Sequence, residues 1–210
     1  MVYVPTRGLA ERVAGRLRGQ GWRATAYHAG LPADRRSTLL REFLSDRYQV
    51  IVATCAFGMG IDKPDVRLVV HWTIPATPES YYQEAGRAGR DGKSSRCVAL
   101  WHPSDLTVHR RQLDVTFPSP SLCASVWADP ARACGLPKTV AASIERLKAE
   151  LRPDLGGVSW DRVRDRRRQA EHRLRAMKAY VTGRGCRRRR LLGWFGESRV
   201  RCRGCDRCTE

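Results

Sequence analysis

No run of 18 apolar residues occurs in the 210-residue sequence, so it holds no segment long enough to cross a bilayer as a helix. The opening Met-Val-Tyr-Val-Pro-Thr-Arg lacks a basic stretch followed by an apolar one, which argues against a secretory signal. A cytoplasmic protein is therefore expected. Internal repeats and low-complexity tracts are lacking too, which excludes a solenoid. Acidic residues are scarce: 21 Asp and Glu against 39 Lys and Arg leave a charge of +18. An excess of that size points to a polyanionic partner. The 42% hydrophobic content is enough for a buried core and excludes wholesale disorder. A cytoplasmic setting disfavours structural disulfides, so the 8 cysteines need another explanation.

Residues 1 to about 112 alternate short apolar runs with helical patterns. Val2-Tyr3-Val4, residues 23–27, Val50-Ile51-Val52-Ala53, Leu68-Val69-Val70 and Cys97-Val98-Ala99-Leu100 read as strands. Leu9, Val13 and Leu17 mark one amphipathic helix, ended by Gly19 and Gly21. Leu39, Leu40, Phe43 and Leu44 mark another, starting near Pro32-Ala33-Asp34, and residues 78–88 a third. Short connections between alternating strands and helices predict an α/β fold, a parallel sheet covered on both faces. Residues 113–160 are punctuated by Pro118, Pro120, Pro130, Pro137 and Pro153. They contain one predicted helix at 139–151, with Ile144, Leu147 and Leu151 on one side, and form a helical insert or connector. Residues 161–210 are strongly basic. A long helix is predicted over 162–178, with Val163, Ala170, Leu174 and Met177 as its apolar stripe, and Arg187, Arg188, Arg189 and Arg190 follow in a row. Such a run is either a solvated face or a binding surface.

Cys186, Cys202, Cys205 and Cys208 follow the pattern C-x15-C-x2-C-x2-C. Two-residue spacings let a tight turn aim two thiolates at one ion, and zinc takes four soft ligands in a tetrahedron. Gly204 would ease the turn. Disulfides, an iron–sulfur cluster and idle thiols are the alternatives, and ligand type and spacing favour structural zinc. With four protein ligands the site is closed, hence structural rather than catalytic. Cys123 and Cys134 are scattered, whereas Cys55 and Cys97 beside apolar strands are expected to be core thiols.

A second constellation is YYQEAGRAGRDG, residues 81–92. Gln83, Arg87 and Arg90 are spaced to share a helix face or a helix end, and Gly86 and Gly89 leave room beside them. Paired arginines suit a phosphate, though a basic helix end making surface ion pairs is the plain alternative. The third is ATCAFGMGIDKPDVR, residues 53–67, where a strand runs into a Gly-x-Gly loop. Loops at strand ends bind ligands in parallel sheets. Gly58 and Gly60 would let backbone N–H groups face a phosphate, and Asp62 could accept from a ribose hydroxyl.

Taken together, VATCAFGMGIDKPDVRLVVHW followed by ESYYQEAGRAGRDG resembles motifs V and VI of superfamily 2 helicases, in detail those of the RecQ family. YVPTR is similar to motif IV, YHAGL to the stretch between IV and V, and AMKAYVTGRGCRRRRLLGWFGE with three following cysteines to the RecQ zinc-binding subdomain. The resemblance covers residues 1 to about 112 and 165–208. It leaves the middle segment unmatched, since motif VI usually leads quickly into the zinc-domain helices. It implies a second RecA-like lobe followed by a small helical zinc-binding subdomain. Arg90 then corresponds to the arginine finger on the ATP γ-phosphate, worth roughly 10³–10⁵ in rate where measured. Arg87 would contact phosphate or couple lobes, and Gln83 would be a polar partner at the lobe interface. Asp62 would lie near the ribose, while Thr54, Thr6 and Arg7 would grip the DNA backbone. His28 is better explained as a packed histidine.

The 210 residues contain no G-x-x-x-x-G-K-[ST] and no Asp-Glu-x-His. In RecQ-like enzymes these stand on a first lobe, which holds ATP and magnesium. The expectation is thus half of an ATP-dependent 3′–5′ DNA helicase, inactive alone, needing a Walker A-containing lobe in cis or trans. It would act as a monomer on single-stranded or forked DNA, away from membranes, and associate with the nucleoid if bacterial. A non-enzymatic zinc-containing DNA-binding module, a remnant lobe and an RNA helicase lobe are the competing readings.

Overall fold

The computed structural model describes residues 1–54, 62–153, 159–202 and 204–208, so Cys55, Gly58 and Gly60 lie outside the described residues. The chain forms two compact units, Met1–His102 with Tyr180–Glu210, and Pro103–Ala179.

The first unit is built on five parallel strands: β1 (Val2–Tyr3), β2 (Ala24–Tyr27), β3 (Val50–Ala53), β4 (Leu68–His71) and β5 (Arg96–Ala99). They lie in the order β2-β3-β1-β4-β5. Tyr3 pairs with Ala53 on one side and His71 on the other, which makes the shortest strand the centre of the sheet. Parallel neighbours need crossovers. Helices α1 (Arg7–Gly19), α2 (Ala33–Leu44) and α3 (Pro78–Ala85) supply three of them. Strand alternation then divides the core. Val2, Ala26, Val50 and Val52 pack with Ala10 and Ala14 of α1, whose small side chains let the helix approach closely. Tyr3, Ile51, Ala53 and Val69 pack with Phe43 of α2. Helices on both faces are therefore present as predicted. Thr6 caps α1, its Oγ1 accepting from the Leu9 N–H at 3.2 Å. Thr77 caps α3 by accepting from the Ser80 N–H at 3.1 Å, with Pro78 in the first turn, where its missing N–H costs nothing.

Two expectations are corrected here. The third helix ends at Ala85 and not at residue 88, because Gly86 caps it and Gly89 takes φ +63°. Cys97 is exposed rather than a core thiol, because β5 is the sheet's edge strand.

The second unit is helical: α4 (Ser104–Thr116), α5 (Pro120–Ala128), a 3-10 helix (Pro130–Gly135), α6 (Lys138–Leu151) and most of α7 (Asp161–Thr182). Cys123, Val126, Ile144, Leu147 and Val163 form its buried core. Trp127 stacks on Trp160 at 5.6 Å and donates its Nε1–H to the Ile144 carbonyl at 3.4 Å. The first unit closes with α8 (Arg187–Trp194). Among the described residues no helix is long and apolar enough to cross a membrane.

Candidate metal centre and arginine turn

The four sulfurs of Cys186, Cys202, Cys205 and Cys208 lie within 4.8 Å of one another. A tetrahedral zinc with bonds of about 2.3 Å sets its sulfurs about 3.8 Å apart, so closure takes a shift of roughly 1 Å. Soft donors, their number and their proximity all fit the ion. Gly204 sits between two ligands at φ +113°, a conformation side-chain-bearing residues rarely adopt. Cys186 caps α8, its sulfur accepting the Arg189 N–H at 3.4 Å, and that bond lowers its pKa. Burial pushes the Cys205 thiol up, but backbone N–H groups of Arg187 and Arg207 outweigh it and bring it down to about 6. Hydrogen bonds to Cys186 and Cys205 push Cys208 up to about 12. The cluster thus divides its protons unevenly among close sulfurs, and a bound metal would displace those that remain.

Arg187 holds this loop to the end of α7. Its guanidinium donates to Asp206 at 3.0 Å from both Nε and Nη2. It also donates to the carbonyls of Tyr180, of Val181 at 3.3 Å and of Gly183 at 3.1 Å, the acceptors a helix end leaves open. The same group lies 5.8 Å from the Tyr180 ring centre. Tyr180 in turn donates its hydroxyl to Tyr81 of α3 at 3.1 Å, and burial raises both phenols. The Tyr81 ring lies 4.9 Å from that of His71, tilted by 45°, and His71 Nε2 meets Glu84 at 2.9 Å. Arg187 stood out in the sequence only as one of four consecutive arginines and Asp206 not at all, although an arginine after one ligand and an aspartate between two others was a visible complement.

The arginine turn follows α3. The Gly89 N–H donates to the Val66 carbonyl at 3.0 Å, and the Asp91 N–H to Pro64 at 3.2 Å. A Cβ on Gly89 would lie 2.5 Å from Ser95 Oγ and 2.8 Å from the Lys93 carbonyl, so glycine is required. Strand register carries the turn further. Leu68 pairs with Arg96, and the same offset sets Arg90 Nη1 3.0 Å from Asp62 Oδ1. Both partners are well exposed, so this pair is weak and exchangeable. Arg87 hydrogen-bonds the Tyr3 hydroxyl, and Gln83 lies exposed on α3. Arg67 pairs with Asp91 at 2.5 Å, which holds that carboxyl below its usual range. Lys63 bridges Asp46 at 2.7 Å and Asp65 at 2.9 Å. Burial opposes its charge, but the two carboxylates raise its pKa. Sequence reasoning passed over Lys63 and Arg67, which anchor the segment entering β4.

Thr6, Arg7, His28 and Thr54 follow the carboxyl ends of β1, β2 and β3, on one edge of the sheet. They form a group separate from Asp62 and Arg90, which precede β4 and β5. Thr6 is occupied as a helix cap and Arg7 is exposed beside Gly30. The Thr54 N–H donates to the Tyr27 carbonyl at 3.2 Å. His28 is buried with Nε2 3.0 Å from Glu11, the packed role expected for it.

Residues 1–92 match the helicase conserved C-terminal domain, and residues 144–209 match the RecQ zinc-binding domain. An ATP-dependent DNA helicase RecQ of Bacillus subtilis is 54% identical over 110 residues, covering 52% of this chain and 19% of its own. The protein of that name from Pasteurella multocida is 34% identical over 212 residues, covering 100% of this chain and 26% of its own. The chain thus spans about a quarter or less of the length of these curated relatives. A DEAD box protein from the hyperthermophile Methanococcus jannaschii is 29% identical with a TM-score of 0.46, covering 52% of this chain and 30% of its own.

Proposed function

The chain belongs to the RecQ family of helicases, and on that premise we propose that it is the second-lobe and zinc-binding part of an ATP-dependent 3′–5′ DNA helicase. Residues 1–112 would form the lobe, 113–160 an insert and 161–210 the zinc subdomain. The observation that carries this reading is the Asp62–Arg90 pair on a glycine-anchored turn. An exposed arginine paired with an exposed carboxylate can exchange that partner for a phosphate, which offers a stronger charge-assisted acceptor. ATP with magnesium, bound by a Walker A-containing lobe, would supply the phosphoryl chemistry. Arg90 would neutralise charge developing on the transferred phosphate and Arg87 would contact phosphate. Gln83 would make a polar contact at the lobe interface, and Asp62, released from Arg90, would accept from a ribose hydroxyl. Gly58 and Gly60 would let the preceding loop approach the nucleotide. Thr6, Arg7 and Thr54 would grip backbone phosphates of a single or forked DNA strand. Cys186, Cys202, Cys205 and Cys208 would hold zinc, which as a four-thiolate crosslink fixes a loop too short to fold alone. The working form would be a monomer associated with DNA.

The test is DNA-stimulated ATP hydrolysis. The chain alone is expected to show none. Fused to or mixed with a Walker A-containing lobe of the family it should turn over ATP, and Arg90→Ala should abolish that while leaving DNA binding intact. Turnover by the chain alone, lost in Arg90→Ala, would overturn the reading.

A further inference from the structure

An exposed aromatic pair stands where α3 meets α8. Tyr82 and Phe195 lie with ring centres 5.0 Å apart at 49°, and each keeps nearly half of its surface open, 47% and 45%. Beside them Trp194 donates its Nε1–H to Glu79 at 3.0 Å, which fixes the end of α8 against α3. Large aromatics left in water in this way cost hydration and do nothing for the core. Helix α8 brings charge to the same place. Arg188 stands in the first turn of α8 and Phe195 caps its end, about 10 Å away along the helix axis. Arg188, Arg189 and Arg190 are exposed and, among the described residues, make no ion pair. Four arginines of α7 differ: Arg164, Arg166, Arg167 and Arg168 are each paired with a carboxylate.

We infer that Tyr82 and Phe195 form a stacking platform for a nucleobase of single-stranded DNA, whose flanking phosphates are gripped by Arg188 and Arg189. An aromatic face bordered by unpaired arginines is what single-strand binding sites combine: stacking for the base, cations for the backbone. An acidic peptide would satisfy the arginines but leave two open rings without a planar partner, so the strand is the better complement. The inference rests on the DNA-handling role proposed above and adds a subsite to it.

The experiment is binding of the full, zinc-loaded chain to a fluorescent oligothymidylate and to an abasic strand of equal length and charge. Wild type should prefer the strand with bases. Phe195→Ala and Tyr82→Ala should each weaken binding to oligothymidylate by roughly 5- to 150-fold and leave the abasic strand almost unaffected. Arg188→Gln with Arg189→Gln should weaken both strands and reduce the salt slope by about 0.7 per lost phosphate contact. Unchanged zinc content certifies that each variant is folded. Equal wild-type affinity for the two strands, or an unaltered Phe195→Ala, overturns the platform. The same holds if Phe195→Ala changes only self-association in sedimentation. Failure of wild type to bind either strand at low salt instead removes the DNA-handling role itself.

Discussion

Replacing Arg187 by methionine isolates what the clasp contributes to the metal loop. The variant keeps an apolar stem of similar length but removes every donor. The bond to Asp206 counts for little, because that carboxylate is 60% exposed, so it is discounted to about 0–1 kcal/mol. The bonds to the Tyr180, Val181 and Gly183 carbonyls come from a guanidinium whose side chain is only 15% exposed. A hydrogen bond to a charged donor is worth about 1.5–3 kcal/mol. Since water can replace part of the set at a helix end, the sum is about 2–4 kcal/mol. Folding of the cysteine loop and metal binding are one equilibrium, so the same free energy appears as zinc affinity. A loss of 2 kcal/mol corresponds to about 30-fold weaker binding. Competition against a chromophoric chelator at fixed pH measures this directly. Arg187→Lys should recover only part of the loss, since an ammonium cannot make the paired contact with Asp206. The exposed Arg184→Met serves as the control and should bind zinc as wild type does. If Arg187→Met competes within twofold of wild type, the clasp is not what holds the loop.

Purified chain should carry about one zinc, and Cys205→Ser should lower both zinc content and solubility, as measured by elemental analysis and sedimentation. Gly89→Ala should destabilise the first unit by about 1–3 kcal/mol in a denaturant titration, because a positive φ and contact with Ser95 combine. Lys63→Met should be less stable than wild type near neutral pH. Burial opposes the Lys63 charge, but the Asp46 and Asp65 carboxylates raise its pKa in the fold, so its contribution persists until pH rises above about 10.5. Asp65, whose pKa is lowered chiefly by its bond to Lys63, gives a contribution lost as pH falls below about 3.8. Melting of the two proteins across pH should therefore converge at both extremes and differ between them.

The sheet was legible because its strands are short β-branched runs bounded by turns, and each fell within a residue of its predicted place. The second unit was legible in part: the helices expected at 139–151 and 162–178 are present as α6 and α7, whereas α4, α5 and the 3-10 helix were missed. Prolines there read as breakers, yet Pro120 and Pro130 begin helices, where a missing N–H is harmless. Helix α4 escaped because its only buried side chains are Asp105 and Leu106, which leaves no apolar stripe to detect. The cysteine cluster was drawn from motif spacing, and Asp62 and Arg90 were each singled out by their motifs, but not as a pair. Their supports, Lys63, Arg67 and Arg187, were not recognised, because each acts through a partner brought close only by the fold.

The charge of +18 shows that a polyanion is wanted but not where it sits, and the arginine-rich stretches have three different fates. On α7 the acids stand three or four residues from the arginines they neutralise, as in Asp161 with Arg164, Asp165 with Arg168 and Glu171 with Arg167. That spacing is visible in the sequence, but three acids on α7 stand against eight cations, and Arg162 and Arg175 stay exposed with no ion pair among the described residues. From Gly183 to Trp194 there is no acidic residue at all. Arg188, Arg189 and Arg190 therefore have no local carboxylate to meet and remain open. Arg187 breaks the pattern, because its acid lies nineteen residues away and arrives through the cysteine loop. Local acid spacing thus separates solvated arginines from available ones before any fold is known. It fails where the fold returns a carboxylate from afar, as with Glu150 for Arg166, Asp114 for Arg167 and Asp206 for Arg187. Both helices therefore keep open cations, and what sets α8 apart is the exposed Tyr82–Phe195 pair at its end.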